Sequence, residues 1–376
     1  GEHTVDVHAI FPDFDADEQL EESYNFLPTD IYLAAIRDTG AEIFYRLGEA
    51  QEPYSRKLYA KSPRDKQKWA RICEHVIRHY NEGWANGFNY KITYWEIWNE
   101  PDQPGDPDDS TKNPMWQGTR EQYYELYSVA AKHLKSRFPN LKIGGYGSCG
   151  FYAMNNVDVS NIAKSTSRTG YFIEFFHKFL RFAKENEIHM DFFDWHTYAG
   201  LKDNILFASY PRKYLDEYGY KDCEIHVGEW NPGTKFRGTL FDASNILSTM
   251  IALHSTPTDM MLYYDFRYWS SYCGPVNPIN FEPFKAYYAF YDFGQLYALG
   301  KQAECVCDGN EVYALAATDG EKKGLVITNH NAEAVTLNIS GIPAGAKIHV
   351  TDADHLFDEI EADLSSLTLG AHALVY

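Results

Sequence analysis

Two glutamates end closely similar stretches of this 376-residue chain and are its strongest candidates for chemistry. The first, Glu100, lies in the run YWEIWNEP over residues 94–101, and the aromatic and β-branched content of residues 91–98 predicts a buried strand. Pro101 cannot donate to a sheet ladder and biases Glu100 towards extended geometry, so the strand should stop with a carboxylate at its tip. The alternative is an acidic residue that simply begins an exposed loop.

The second candidate, Glu229, lies in the run CEIHVGEWNP over residues 223–232, again a short strand followed by Trp, Asn and Pro. In a β/α barrel, chemistry is carried by residues at the C-terminal ends of strands. Three helix-length segments separate the two strands, so both carboxylates could lie at one end of one barrel. Glycoside hydrolysis requires such a pair, one as acid/base and the other as nucleophile or base.

These motifs resemble those of known glycosidases. Trp-Asn-Glu-Pro at one strand end, followed later by Gly-Glu-Trp, resembles the clan A glycoside hydrolases. The fuller string Glu-Ile-Trp-Asn-Glu-Pro-Asp is similar to glycoside hydrolase family 39, which includes β-xylosidases and α-L-iduronidases. The resemblance covers most of the chain. Its motifs are specific for the clan and moderately specific for the family.

The resemblance implies double displacement with retention of configuration. Glu229 would attack the anomeric carbon, and Glu100 would protonate the leaving oxygen and then activate water. Retention requires the two carboxyl groups to lie about 5–5.5 Å apart. Glu100 then needs a raised pKa, while Glu229 stays ionised.

The same resemblance assigns substrate-binding roles to neighbouring residues. Asn99 would bond the sugar 2-hydroxyl, Tyr198 would donate to the nucleophile, and His196 would point into the site. For His196 and Tyr198 the alternative is ordinary packing. Arg46 could bind a hydroxyl or a carboxylate, or form a structural salt bridge.

Further candidates lie at other predicted strand ends. His8 and Asp13 are placed to bind the non-reducing sugar. Trp98, Trp230 and Trp269 are candidate stacking walls, although Trp98 also suits a core position. The family's last barrel strand often ends in a run containing Trp, whereas residues 262–267 read LYYDFR, which leaves the sugar open.

Strands alternate with helices at the spacing of a parallel (β/α)8 TIM-type barrel. Seven strands are predicted, beginning at residues 4, 41, 91, 141, 191, 223 and 260. Helices are predicted over 29–39, 63–86, 120–138, 171–186, 205–218, 240–254 and 284–298. Barrels of this kind have eight strands, so the first strand and its helix are expected to be absent from this chain. Either the natural protein is longer, or the open edge is closed in another way.

From about residue 302 the pattern changes to short alternating runs separated by Gly, Asn and Asp turns. This pattern is typical of an antiparallel β-sandwich. We therefore expect a catalytic barrel over 1–300 and a β-sandwich accessory domain over 301–376.

Composition narrows the possible partners. A net charge of -19 disfavours nucleic acid and anionic membranes, and no transmembrane stretch is present. The six cysteines suggest no disulfide framework, and Cys305-x-Cys307 is a weak metal candidate. The acidic cluster of Asp102, Asp106, Asp108 and Asp109 lacks the spacing of an EF-hand, so a solvated loop is expected. We expect no metal and no cofactor.

The leading hypothesis is therefore an exo-acting retaining glycosidase on an oligosaccharide or glycoside, with β-xyloside first. Galactoside, arabinoside and iduronide are the alternative sugars. A carbohydrate-binding pseudo-enzyme with an incomplete barrel is the main rival. A metallohydrolase is disfavoured, because no His-Glu-x-x-His or similar ligand spacing occurs.

Overall fold

Six parallel strands form the principal sheet in a computed structural model, which describes residues 2–49, 60–103, 115–154, 167–267, 270–272, 274–343 and 345–376. The strands follow one another across the sheet in chain order. They are β1 Phe44–Leu47, β2 Tyr94–Ile97, β3 Lys142–Gly144, β4 Phe192–Thr197, β5 Glu224–Trp230 and β6 Met260–Tyr263. All six were predicted from sequence.

Helices alternate with these strands, as predicted. They are α2 Leu27–Asp38, α3 Lys66–Glu82, α4 Arg120–Arg137, α5 Arg168–Glu185, α6 Leu201–Tyr218, α7 Leu240–Leu253 and α8 Lys285–Leu299. Each overlaps one predicted helix, and α3 shows why the prediction works. Its side-chain cap is Asp65, it buries one apolar stripe, and it ends at Gly83 in the left-handed region (φ 75°).

The first predicted strand is wrong. Residues Glu2–Val5 form a 3-10 turn and Val7–Ile10 a short helix, α1. The run also fits a helical spacing, because Val7 and Ile10 are three apart and both are buried. Within this segment the Phe11 amide donates to the Val7 carbonyl at 2.8 Å, which replaces a strand ladder. The described residues thus contain six parallel strands, one fewer than predicted.

The chain divides into two compact units. Unit 1 comprises Gly1–His196 and Tyr210–Gly228, and unit 2 comprises Thr197–Ser209 and Glu229–Tyr376. One division falls inside β5, so the last two residues of that strand belong to unit 2. The predicted boundary near residue 300 stays a prediction.

The core of unit 1 is strongly aromatic. The predicted apolar stripe of α5 (Phe172, Phe175, Phe176 and Phe179) is buried, with at most 1% of any of these side chains exposed. Phe175 and Phe179 pack on Tyr124 of α4 at ring distances of 5.0 and 5.7 Å. Most of the aromatic content of this region therefore serves packing. Cys73 and Cys223 are buried, as predicted.

An antiparallel sheet in unit 2 confirms the predicted change of architecture. Its strand order is β12-β11-β14-β9-β8-β7, and β10 pairs separately with β13. The strands are β7 Lys301–Ala303, β8 Val312–Thr318, β9 Lys323–Asn329, β10 Val335–Leu337, β11 Ile348–Thr351, β12 Leu356–Ile360, β13 Leu367–Leu369 and β14 Leu374–Val375. An apolar core that includes Val312, Ile327, Val350 and Leu369 joins the two sheets. None of the helices described is long and apolar enough to span a bilayer.

Strand register fixes the neighbours of the candidate site. In the parallel pair β1–β2, Arg46 lies opposite Glu96, and in β2–β3 Glu96 lies opposite Gly144. Registered residues of adjacent strands project from the same face. Arg46 and Glu96 are therefore brought together by the backbone pairing itself.

A complete capping box starts α4 and offers a test of this element. Thr119 Oγ1 accepts from the Gln122 amide at 3.2 Å, and Gln122 Oε1 accepts from the Thr119 amide at 2.9 Å. We expect Thr119→Ala to lower the free energy of unfolding by about 1 kcal/mol, because the Gln122 amide loses its side-chain acceptor. Urea unfolding measures the change. Ser136→Ala, on the exposed face of the same helix, is the control, and an equal loss there would contradict the assignment.

Candidate active site

The backbone is strained where β2 ends. Trp98 and Glu100 both have positive φ, at 74° and 45°. Such conformations cost about 1–3 kcal/mol each in non-glycine residues and cluster at functional sites. The Trp98 amide donates to Leu47 O at 2.6 Å, and the Glu100 amide donates to Gly147 O at 3.0 Å. The extended geometry predicted for Glu100 from Pro101 is therefore wrong, because these two bonds override the local preference.

The Glu100 carboxyl group has two close hydrogen-bond partners. His196 Nδ1 lies 2.8 Å from Oε1, and Gln103 Nε2 donates to Oε2 at 2.5 Å. Burial raises the pKa of Glu100, but His196 foremost, with Gln103 and Arg46, outweighs burial and brings the pKa below its usual value. The expectation of a raised pKa is therefore wrong, because it followed from the role of an acid and did not include these partners.

Next to His196 lies a group of charged residues formed by Arg46, Glu96 and Asp194. Sequence analysis identified Arg46 but not the two carboxylates. Arg46 Nε donates to Glu96 Oε2 at 2.5 Å, and its Nη2 lies 3.3 Å from His196 Nε2 and 3.9 Å from Asp194 Oδ2. The Glu96 and Asp194 side chains are both 0% exposed. Burial raises the pKa of Glu96 well above its usual value despite Arg46.

Glycines make room for this group. A methyl group on Gly145 would approach Glu96 Cγ to 2.7 Å, and one on Gly228 would approach Asp194 Oδ2 to 2.0 Å. A Cβ atom essentially never approaches another heavy atom to less than 3.0 Å, so both positions require glycine. Gly228 is part of the Gly-Glu-Trp motif, so the glycine of that motif is explained by close packing against Asp194 within unit 1.

Asp102 is not the solvated loop residue that was predicted. It is fully buried, and it accepts from Ser148 Oγ at 2.8 Å and from the Cys149 amide at 3.0 Å. Burial, with a smaller contribution from the charge of Glu100, raises the pKa of Asp102 to about 7. The prediction failed because the serine partner lies 46 positions away in sequence. The other members of the acidic cluster lie outside the described residues.

Asn99 has the properties of a ligand-binding amide. Its side chain is 7% exposed, and among the described residues its Oδ1 has no hydrogen-bond partner. A buried amide oxygen without a partner is costly unless a ligand or water completes it. The assignment of Asn99 to a sugar hydroxyl stays a prediction.

In unit 2, Glu229 lies near the end of β5 and is half-buried. Tyr198 Oη donates to Glu229 Oε2 at 2.8 Å, so the predicted hydrogen bond is confirmed. Tyr272 lies beside Tyr198 at a ring distance of 5.6 Å and is 38% exposed, which makes it an additional stacking candidate that sequence analysis missed.

The run after β6 contributes another buried carboxylate. Arg267 Nη2 donates to Asp265 Oδ2 at 2.5 Å and to Tyr264 Oη at 2.8 Å. Burial raises the pKa of Asp265, and the charge of Glu229 acts in the same direction. The departure from the family's Trp-containing run thus brings an acidic residue into the electrostatic environment of Glu229.

The tryptophan candidates that the structure describes are buried in packing contacts. Trp98 is 1% exposed, donates to Met115 O at 2.7 Å and packs edge-on against Trp116, so it is a core residue. Trp230 is 2% exposed and packs edge-on against Tyr263, which does not favour stacking on a sugar. Trp269 lies outside the described residues.

His8 lies on α1, where its Nδ1 bonds Glu49 Oε2, and not at a strand end. It lines a cavity of about 290 Å³ with Glu49, Phe11 and Trp69. Ligand atoms of Asp6, His8 and Glu49 all lie within 4.8 Å of one another, an arrangement able to hold a divalent cation. Asp13 is exposed and accepts from the Asp15 amide in a local turn.

A carboxylate followed by Pro lies after β2, and a carboxylate held by a tyrosine hydroxyl lies near the end of β5, the strand ends at which β/α barrels carry their chemistry. Comparison with known proteins gives the family. The model of glycosyl hydrolases family 39 matches residues 4–268, and the chain belongs to this family. The resemblance inferred from the motifs is thereby confirmed.

Relatives among characterised proteins are distant. A β-xylosidase of Geobacillus stearothermophilus is 24% identical over 74% of this chain and 47% of its own length. A β-xylosidase of Caldicellulosiruptor saccharolyticus is 23% identical over 72% of this chain and 54% of its own length. The chain therefore spans about half the length of the curated relatives it matches.

Solved structures share the fold. A glucosidase from Croceicoccus marinus superposes with a TM-score of 0.73 at 22% identity, covering 97% of this chain and 84% of that one. A monomeric β-xylosidase from Caulobacter crescentus superposes with a TM-score of 0.64 at 15% identity, covering 94% of this chain and 84% of that one. At these identities the likeness concerns architecture, and it confirms the predicted β/α fold with an antiparallel sheet.

Removing the hydroxyl that bonds Glu229 tests its importance. We expect Tyr198→Phe to lower kcat about 10- to 100-fold in hydrolysis of an aryl glycoside, since a hydrogen bond to a charged group contributes about 1.5–3 kcal/mol. The matched control is Tyr94→Phe, which removes a Tyr–Glu bond of 3.0 Å at the first residue of β5, Glu224. Equal losses in both variants would contradict a specific role for Tyr198.

The raised pKa of Asp102 predicts a pH dependence of stability. The folded protein keeps a proton on Asp102 up to about pH 7, whereas the unfolded chain releases it near pH 4. The contribution of this residue to the free energy of unfolding therefore falls as pH rises from about 4 to about 7, by up to roughly 4 kcal/mol. Asp102→Asn should remove that contribution. Urea unfolding of both proteins across this pH range measures it, and a difference that does not change with pH would contradict the assignment.

Proposed function

We propose that the chain is the catalytic part of a retaining glycoside hydrolase, with Glu229 as nucleophile and Glu100 as acid/base. The observation that carries the proposal is the family match across both strand ends, together with the Tyr198–Glu229 hydrogen bond of 2.8 Å. A tyrosine donor fixes the orientation of one oxygen of Glu229, as a positioned nucleophile requires. Glu100 instead bonds an imidazole, a partner suited to a residue that gains and loses a proton.

Proton transfer by Glu100 requires that the pKa of its carboxyl group rise when substrate binds. His196 foremost keeps the pKa of Glu100 low, so the carboxyl must gain its proton as the site binds a glycoside and loses solvent. Asn99 supports the proposal as the group for the sugar 2-hydroxyl, because its buried Oδ1 has no partner among the described residues. That contact strengthens in the transition state of a retaining enzyme.

For the substrate we propose an exo-cleaved β-xyloside. The two relatives described above are β-xylosidases, which supports this sugar ahead of galactoside, arabinoside or iduronide. The exposed aromatic ring of Tyr272 supports a carbohydrate ligand in general, since sugars stack on such faces.

Variants of the two carboxylates test the mechanism. We expect Glu229→Gly to abolish hydrolysis of an aryl β-xyloside, with a fall of at least about 10⁴-fold, because the glycosyl-enzyme no longer forms. Azide should then restore turnover of the aryl glycoside and yield a glycosyl azide of inverted configuration. Glu100→Ala should lose about 10²- to 10⁴-fold and give an azide product of retained configuration.

Proton NMR of the first product formed by the unaltered chain decides the stereochemistry. Release of the β-anomer supports retention, and the α-anomer would contradict it. A panel of aryl β-xyloside, β-galactoside, α-L-arabinoside and α-L-iduronide identifies the sugar. Binding of xylo-oligosaccharides without hydrolysis of any substrate would favour a carbohydrate-binding protein instead.

A further inference from the structure

Arg46 belongs to the group of charged residues next to His196, and its contacts determine which atoms of His196 and Glu100 carry hydrogen. Arg46 Nε donates to Glu96 Oε2 at 2.5 Å, and the β1–β2 register places these residues side by side. The guanidinium is planar, so anchoring Nε also fixes the direction of Nη2. Glu96 is 0% exposed, which leaves Arg46 as a strong local partner for that carboxyl.

Nη2 of Arg46 lies 3.3 Å from Nε2 of His196. A guanidinium donates hydrogen bonds and never accepts them, so this contact is favourable only if Nε2 carries a lone pair. Asp194 Oδ2 lies 3.8 Å from the same nitrogen, which is beyond the range of a hydrogen bond. The hydrogen of the imidazole is therefore placed on Nδ1.

Nδ1 of His196 faces Oε1 of Glu100 at 2.8 Å. The His196 side chain is 1% exposed, so bulk water has little access to the ring. With the hydrogen on Nδ1, Oε1 must accept. The proton that Glu100 gains is then carried by its other oxygen, Oε2, whose remaining lone pair still accepts from Gln103 Nε2.

We propose that Arg46 is a positioning residue that fixes His196 as the neutral Nδ1–H tautomer and thereby confines the transferable proton of Glu100 to Oε2. The first half of this statement is independent of activity. The second half rests on the proposed function of Glu100 as acid/base.

Nitrogen NMR of the full chain labelled with [15N]histidine tests the tautomer directly, with His196→Gln to assign the signal. At pH 7 we expect His196 to show a protonated Nδ1 and an unprotonated Nε2. Two protonated nitrogens, or a hydrogen on Nε2, would overturn the proposal. This readout needs no substrate, so it holds even if the chain hydrolyses nothing.

The double variant Arg46→Met with Glu96→Gln removes the donor without leaving a buried carboxylate unpaired. We expect the His196 nitrogens to move towards the averaged shifts of exchanging tautomers. The matched control is Arg120→Met with Glu174→Gln. That pair has the same 2.5 Å Arg–Glu contact and a carboxylate of 0% exposure. An unchanged His196 spectrum in the first variant, or an equal change in the control, would contradict the role of Arg46.

Leaving-group dependence tests the second half. In the Arg46 double variant we expect kcat/KM for a methyl β-xyloside to fall about 10- to 100-fold, because this step depends on the acid. The dinitrophenyl β-xyloside needs little acid assistance, so its kcat/KM should change less than about threefold. A uniform fall for both substrates would show a structural effect and overturn the link to Glu100. No hydrolysis by the unaltered chain would instead count against the proposed function and leave the tautomer result intact.

Discussion

The ion pair between Arg46 and Glu96 is the constraint on which the rest of the Glu100 environment depends. Removing a carboxylate from water costs several kcal/mol unless a partner of good geometry compensates. Here the parallel register of β1 and β2 supplies that partner, because it places the two side chains opposite each other. Gly145 leaves the volume that the Glu96 side chain occupies. The strand register and Gly145 together position the Arg46–Glu96 ion pair, and His196 lies against this pair.

Backbone strain at the end of β2 is maintained by β1 and by the segment that follows β3. Positive φ values at Trp98 and Glu100 are unfavourable, yet carbonyls of Leu47 and Gly147 hold both amides. The core position of Trp98 adds a large buried ring to this restraint. These hydrogen bonds and this packing therefore stabilise an unfavourable backbone conformation that directs the Glu100 side chain towards its partners.

The two candidate carboxylates differ in the chemistry of their partners. Glu100 contacts an imidazole and an amide, whereas Glu229 accepts from a tyrosine hydroxyl and lies near the buried Asp265. Such differences are how one fold assigns different roles to chemically identical groups. In a family whose members share architecture at low sequence identity, the departures around Asp265 and Arg267 are where specificity is expected to vary.

The sequence by itself determined the alternation of six strands and seven helices, the change to an antiparallel sheet, the family and the Tyr198–Glu229 hydrogen bond. The elements follow from periodicity, which is a local signal, whereas the family and the hydrogen bond follow from the resemblance of short motifs to a known family. Only the tertiary structure decided that residues 4–11 are not a strand, that Asp102 is buried, and that the pKa of Glu100 is lowered. It also brought Glu96 and Asp194 together with Arg46. The burial of Asp102, the pKa of Glu100 and the group around Arg46 depend on partners tens of positions away, and a hydrogen bond or charge at that separation leaves no trace in local pattern. Residues 4–11 were mispredicted because their short apolar run fits a strand and a helix alike.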